Sequence, residues 1–309
     1  AEAHWNEGLA RLALGDYRGG WPKYEWRWRN ARLGVTQPPL DVPTWTGQEP
    51  LDGKSVLIFQ EQGYGDAIQF VRFASMVASQ SARTVVACDE TLLELFSSVP
   101  GVDATTAGPL SESDADYQVP LMSLPLALGI TLRNLPAEPY LTADPEKTGT
   151  WQHRFKDLEG RRKVGLVWAG NPLFAAAAQK RCPIDELQGL LSVPDIGWVS
   201  LQKDADEAEL RGLRESAPNL LDCGGELDDF AATAAAIVAL DLVVTVDTAV
   251  AHLAGALGKP VWIMLPFAAD WRWLVDRSDS PWYPSARLFR QPSAGDWQEL
   301  VERLKDALQ

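Results

Sequence analysis

Two stretches of the sequence place groups that could do chemistry directly after an apolar, β-branched run. In the first, Leu242-Val-Val-Thr-Val246 gives way to Asp247-Thr248-Ala249-Val250-Ala251-His252, and small residues at helical spacing follow. Asp247 and Thr248 then fall at a helix N-terminus, where backbone N–H groups lack intrahelical partners and the helix dipole favours an anion. A diphosphate suits that place: Thr248 adds a hydroxyl donor, and Ala249, Ala251 and Ala254 keep the helix slim enough for close approach. The plain structural alternative is that Asp247 caps the helix and His252 is a satisfied core histidine. In the second stretch, Ser55-Val-Leu-Ile-Phe59 runs into Gln60-Glu61-Gln62-Gly63-Tyr64-Gly65-Asp66. Gly63 and Gly65 are expected to permit a tight turn with unusual dihedrals. Asp66, expected at the start of the next helix, is either an N-cap or a functional carboxylate.

Other polar groups fall at the ends of apolar runs or beside them. Trp168-Ala-Gly170-Asn171-Pro172 ends one run: Gly170 allows backbone approach and Asn171 offers two donors, while Lys180 and Arg181 are the nearest cations. After Ser200, Gln202 could meet a base or ribose and Lys203 a phosphate, although a Lys after a strand is as readily solvated. Arg272 lies between Trp271 and Trp273, where a guanidinium suits a phosphate or a ring face. Trp271, Trp273 and Trp282 either stack on a sugar or pack the protein together.

The elements that must position these residues alternate. Short β-branched runs at 55–59, 84–88 and 117–119, and again at 163–168, 197–201, 242–246 and 260–264, are separated by helical patterns. Such alternation implies parallel strands with crossover helices, here two doubly wound sheets with ligands in the crevice beyond the carboxyl ends of their strands. The expected α/β lobes span residues 35–145 and 146–294, and the amphipathic stretch 297–308 sits in a closing helix over 295–309. Residues 1–34 read as a helix, a Gly15-Asp16-Tyr17 turn and an aromatic-rich second helix to Arg29, a pattern like one tetratricopeptide repeat. A single repeat cannot bury its own face, so the pair is expected to pack on the next domain and on repeats upstream. The first residues already read as the interior of a helix. Val35 to Gly53 reads as a linker with Trp45 as an anchor.

Composition narrows the function. A net charge of -14 argues against nucleic acid as a partner, since such binders carry a basic face. No apolar run is long enough to cross a bilayer and no signal sequence opens the chain, so a cytoplasmic protein is expected. Cys88, Cys182 and Cys223 form no CxxC pair, and His4, His153 and His252 are scattered. Asp204 and Asp206 spell a DxD pair but open a helix, so metal independence is expected.

The stretch Asp241 to Pro260 resembles the signature of the heptosyltransferase-type glycosyltransferases, glycosyltransferase family 9. With its repeat-like start, the chain resembles bacterial tetratricopeptide proteins that carry such a domain. The resemblance runs from about Gly53 to Gln291 and implies the GT-B fold, two facing Rossmann-like lobes with the nucleotide sugar held mainly by the second. It implies that Asp66 is the general base on the acceptor hydroxyl, with Glu61 in reserve. The donor-binding group would comprise Gly65, Trp168, Gly170, Asn171, Lys180, Arg181, Gln202, Lys203, Asp247, Thr248, Ala249, His252 and Arg272, with Phe230 to Ala234 bordering the nucleotide. The chain departs from the family in having Ala249 where Gly is common. It also reads Leu173-Phe-Ala-Ala-Ala-Ala-Gln179 where relatives carry polar and charged residues.

The expected function is therefore an inverting, metal-independent transfer of sugar from a nucleotide donor to a hydroxyl, with no cofactor. The helical pair suggests a protein as acceptor. The alternative, motivated by the alanine run 175–178, is a scaffold that binds nucleotide sugar without turnover. A GT-B epimerase would need more carboxylates and histidines in the second lobe than the sequence supplies.

Overall fold

A computed structural model of the 309-residue chain describes residues 1–35, 38–111, 115–172 and 177–309. By contacts the chain forms two compact units: Ala1–Thr142 with Asp270–Asp276, and Ala143–Ala269 with Arg277–Gln309. Against the expected boundaries, the N-terminal helices join the first lobe, and residues 270–276 leave the second lobe to pack in the first unit.

The first unit holds a four-stranded parallel sheet, β1 (Ser55–Phe59), β2 (Arg83–Ala87), β3 (Ala104–Thr106) and β4 (Tyr117–Pro120), in the order β3-β2-β1-β4. Val56, Leu57, Ile58 and Phe59 are all buried, as in a parallel strand covered on both faces. β3 is only Ala-Thr-Thr and gives no apolar signal in the sequence. Trp45 is the expected anchor: it is buried, its backbone N–H donates to Gln118 O, and its indole donates to Glu49 O.

Two helices, Glu2–Ala13 and Tyr17–Tyr24, precede this sheet, joined at Gly15 with φ +80. Asp16 caps the second by accepting the Gly19 N–H. The second helix stops at Tyr24, short of the expected Arg29, and tightens into a 3-10 turn over Glu25–Arg29. The pair is built into the unit. Trp21 donates its indole N–H to Ile130 O at 2.9 Å and meets the rings of Tyr24, Phe70 and Trp271 edge-on.

The second unit holds a six-stranded parallel sheet: β5 (Arg162–Val167), β6 (Ile196–Ser200), β7 (Leu221–Asp222), β8 (Leu242–Val246), β9 (Val261–Leu265) and β10 (Ala286–Arg290). Its order, β10-β9-β8-β5-β6-β7, is the Rossmann order 3-2-1-4-5-6 read from the other edge. The first unit has the corresponding 3-2-1-4 arrangement. β7 and β10 escape the sequence pattern because one is two residues long and the other carries Arg287 and Arg290 among its apolar residues. The closing helix Trp297–Leu308 buries Leu300, Val301, Leu304 and Leu308 in the core with Val164, Leu166, Leu190 and Trp198. Among the described residues, no helix is long and apolar enough to cross a membrane.

Candidate functional site

In a doubly wound sheet, ligands sit beyond the carboxyl ends of strands where the order reverses. In the second unit that point lies between the neighbours β5 and β8. The loops that leave these strands lie side by side: a Cβ placed on Gly170 would meet Thr248 Cγ2 at 3.5 Å, ordinary van der Waals contact. Thr248 is the N-cap of the helix Ala249–Ala256, in extended conformation and without a side-chain cap bond. Among the described residues, nothing caps the N–H groups of Ala249 and Val250. The Thr248 hydroxyl is half-buried, 3.1 Å from the Thr245 hydroxyl.

Asp247 is not the cap. It precedes the N-cap, its side chain is 5% exposed, and its carboxylate receives a hydrogen bond from Lys180 Nζ at 2.6 Å. Lys180, at the end of the short helix Ala177–Lys180, thus brings positive charge to the uncapped helix start. Ala175 and Ala176 of the alanine run, with Leu173 and Phe174, lie outside the described residues.

Several expected donor residues are engaged elsewhere. Gln202 Oε1 accepts the N–H groups of Trp168 (3.1 Å) and Ala169 (2.9 Å), which shapes the loop leading to Gly170 and Asn171. Lys203 donates to Leu227 O at 2.8 Å. Trp168 is buried, and its indole donates to Glu209, whose carboxylate also pairs with Arg181. His252 is buried with Nδ1 3.0 Å from the Tyr283 hydroxyl, the arrangement of a core histidine. One turn on, Gly255 fits because a Cβ there would come within 2.4 Å of the Tyr283 ring. The helix Phe230–Val238 is capped by Asp229, which accepts the Ala232 N–H. Gly170, Asn171, Thr248 and Ala249 meet at this corner, with Lys180 held to Asp247 beside them.

In the first unit the Asp66 carboxylate is built differently from the sequence expectation. The helix starts two residues early, as Tyr64–Phe70, with Gly63 as N-cap at φ -65, ψ 170. Neither Gly63 nor Gly65 has a positive φ, because Gly63 as N-cap takes ordinary extended backbone and Gly65 lies within the helix. Asp66 is the third helical residue, and its Oδ2 reaches back to accept the Gly63 N–H at 3.2 Å. Its Oδ1 accepts from Arg272 Nη2. Arg272 also donates from Nε to Gln69 Oε1 (2.6 Å) and from Nη1 to Asp270 Oδ1 (2.8 Å), and lies over the Trp271 ring at 4.6 Å. Burial works against its charge, but Asp270 and Asp66 outweigh it and raise the guanidinium pKa above its ordinary value. Arg272 is thus a carboxylate partner within the first unit. Trp271 and Trp273 pack in that unit and Trp282 in the second, all three buried.

Glu61, the reserve carboxylate, is sealed. Its side chain is 0% exposed, Oε1 accepts from Arg27 Nη2 at 3.0 Å and from the Met122 N–H at 3.2 Å, and Oε2 has no partner among the described residues. Burial pushes its pKa up to about 7 against the pull of Arg27. Arg27, itself buried, also meets Glu25 and donates to Ser123 Oγ at 2.6 Å. A cavity of about 300 Å³ opens beyond β1, β2 and β3, lined by Gln60, Glu61, Cys88, Asp89, Thr106 and Leu110 among others. Burial pushes the Cys88 thiol up to about 12, so it is an inert wall. Among the described residues, no group of three or more His, Cys, Asp or Glu could hold a metal ion.

Residues 196–264, which run from β6 through the uncapped helix to β9, match the family model described as glycosyltransferase family 9 (heptosyltransferase). The chain is similar to the ADP-heptose LPS heptosyltransferase II of E. coli, at 15% identity and a TM-score of 0.61, covering 82% of this chain and 97% of that one. The glycosyl transferase family 9 protein of Veillonella parvula aligns at 12% identity and a TM-score of 0.58, covering 84% and 91%. This is the GT-B fold of heptosyltransferase-like glycosyltransferases. The similarity extends beyond that domain to Protein FlbA of Caulobacter vibrioides, 30% identical over 96% of this chain. The chain spans about half the length of that curated relative, 53%.

On this GT-B framework, sequence reasoning missed Arg27, Gln69 and Glu209, which hold the candidate residues in place. Gln69 carried a signal, a lone amide inside the apolar run Ile68-Gln69-Phe70-Val71. Arg27 carried none, since an Arg between two tryptophans reads as a solvated helix face.

Proposed function

We propose that the protein transfers a sugar from a nucleotide-sugar donor to an acceptor hydroxyl with inversion and without a metal ion. The observation that carries this reading is the uncapped start of the helix Ala249–Ala256 beside the Gly170-Asn171 loop, with Lys180 at hand. Free N–H groups and an ammonium can take up the negative charge that develops on a leaving nucleoside diphosphate. In the first unit, Asp66 is the partly exposed carboxylate, 23%, and takes the acceptor proton as its oxygen attacks the anomeric carbon. Glu61, sealed and bound to Arg27, serves instead as the socket for that arginine. The acceptor in this reading is a hydroxyl on a polypeptide met by the tetratricopeptide-like helical pair, in the cytoplasm where nucleotide sugars are made.

A nucleotide-sugar panel tests it. Release of nucleoside diphosphate should fall by about 10²- to 10⁴-fold in Asp66→Asn while nucleoside diphosphate still raises the melting temperature. Peptides bearing Ser or Thr should accept sugar where lipid-linked oligosaccharides do not. A second reading has its own support: Gln202, Lys203, Trp168 and Arg181 are all engaged internally, as in a site kept for binding alone. Nucleoside diphosphate binding without turnover for any donor would favour it.

A further inference from the structure

We propose that the amino end of the six-stranded sheet is a second anion site, where Arg162 and Arg287 take a phosphate group beside Trp262. This goes beyond the transfer reading and does not depend on it. The strands of that sheet are parallel, so their amino ends lie away from the helix start beyond their carboxyl ends.

Strand register brings the three residues together. Arg162 opens β5, while Trp262 and Arg287 are the second residues of β9 and β10, are Cα partners, and so share a face. Phe289, two residues on, lies on the same face, its ring 5.3 Å from that of Trp262. The Arg287 guanidinium is 5.5 Å from the centre of the Trp262 ring and 4.7 Å from that of Phe289. The Arg162 guanidinium reaches the same indole at 5.8 Å. The two Cζ atoms are therefore at most about 11 Å apart, the sum of their distances to the shared ring, within the span of a phosphate or diphosphate and its hydrogen bonds.

The charge at this end is not balanced from within. Arg162 and Arg287 are exposed, and among the described residues neither makes an ion pair or a side-chain hydrogen bond. Asp279 sits opposite Arg287 in an antiparallel bridge, yet both its carboxylate oxygens accept from Arg277. Asp241, just before β8, accepts the Lys163 N–H at 2.7 Å. Burial lowers the pKa of Lys259, just before β9, and the opposite pull of Asp241 is countered by Lys163. In a chain with 42 carboxylate side chains against 28 Lys and Arg, two neighbouring arginines without a carboxylate mark a place for an outside anion. Contact with a ring face stabilises a guanidinium less than a charge-assisted hydrogen bond does, and it leaves the N–H donors for an oxyanion. A phosphate offers oxygens in several directions and so can meet two guanidiniums at once.

The test follows the Trp262 indole N–H by ¹⁵N NMR of the whole chain, with the signal assigned by Trp262→Phe. The soluble probes are inorganic phosphate and pyrophosphate, at an ionic strength held near about 0.15 M. Sedimentation with phosphatidylcholine vesicles, with and without phosphatidylglycerol, runs in parallel. A saturable shift with either soluble probe assigns the site to a free phosphate. Co-sedimentation that requires phosphatidylglycerol assigns it to a lipid headgroup. In either case Arg162→Gln and Arg287→Gln should each weaken binding by about tenfold, and Arg287→Lys should lie between wild type and Arg287→Gln. Lys180→Ala, at the opposite end of the sheet, should leave the Trp262 response unchanged, so failure of one anion site is read apart from failure of the other. No response to any probe overturns the proposal, as does a shift that sodium chloride reproduces. A response that persists in a folded Arg162→Gln, Arg287→Gln double variant, or one lost in Lys180→Ala, overturns it as well.

Discussion

The two units carry the same parallel core order around their first strand, yet the carboxyl ends at their reversal points are finished in opposite ways. Beyond β1 and β4 the space is filled by the protein's own charge: Arg27 from the N-terminal turn enters it and binds Glu61 and Ser123. Beyond β5 and β8 the corner is lined by a glycine, an exposed amide and a helix start whose first N–H groups have no cap among the described residues. A shared strand order thus places a functional position without deciding what occupies it. Where side chains satisfy one another the position becomes a joint, and where backbone donors are left over it becomes a place for an anion.

The largest break in this comparison is Arg27→Met. At pH 8 it strands the buried Glu61 carboxylate, and urea denaturation should show a loss of about 3–5 kcal/mol. The double variant Arg27→Met with Glu61→Gln should recover most of it, and nucleoside diphosphate affinity should not change in either. The joint also has a pH signature. Glu61 has a folded pKa of about 7, above the 4.5 of an ordinary glutamate, so the folded state binds the proton more tightly than the unfolded one. That contribution is fully present below pH 4.5 and is lost as pH rises through about 7. Stability should decline over that window, on the order of 3 kcal/mol, and the decline should vanish in Glu61→Gln.

In the second unit the effects should be smaller and should appear in binding. Gln202→Leu leaves the Trp168 and Ala169 N–H groups without their acceptor; a loss of about 2 kcal/mol in denaturant unfolding should come with weaker nucleotide binding. Lys180→Ala should weaken nucleoside diphosphate binding by about tenfold in calorimetry and flatten its dependence on salt, with a loss of stability from the unpaired Asp247 that stays below that of Arg27→Met because Lys180 is itself partly exposed. If Lys180→Ala instead destabilised the fold as strongly as Arg27→Met, the corner in the second unit would be a joint as well.

The alternation of β-branched runs and helical patterns made the two α/β sheets legible in the sequence, and the strand-to-helix step at Val246 located the uncapped helix start. β3, β7 and β10 were not legible because they are short or carry arginines, and neighbouring strands rather than their own residues decide their pairing. The carboxylate at Asp66 was legible as a residue in a chemically suggestive place. Its helix position, third and not first, was hidden because Gly63, without a side chain, takes the cap.

By itself the sequence determined the longer apolar strands of both sheets and where a helix begins after Val246, since both follow from local pattern. Tertiary structure alone decided which charges meet. Arg272 is 206 residues from Asp66 and Arg27 is 34 from Glu61, and ion pairs across such separations are set by how elements pack, which no local pattern encodes.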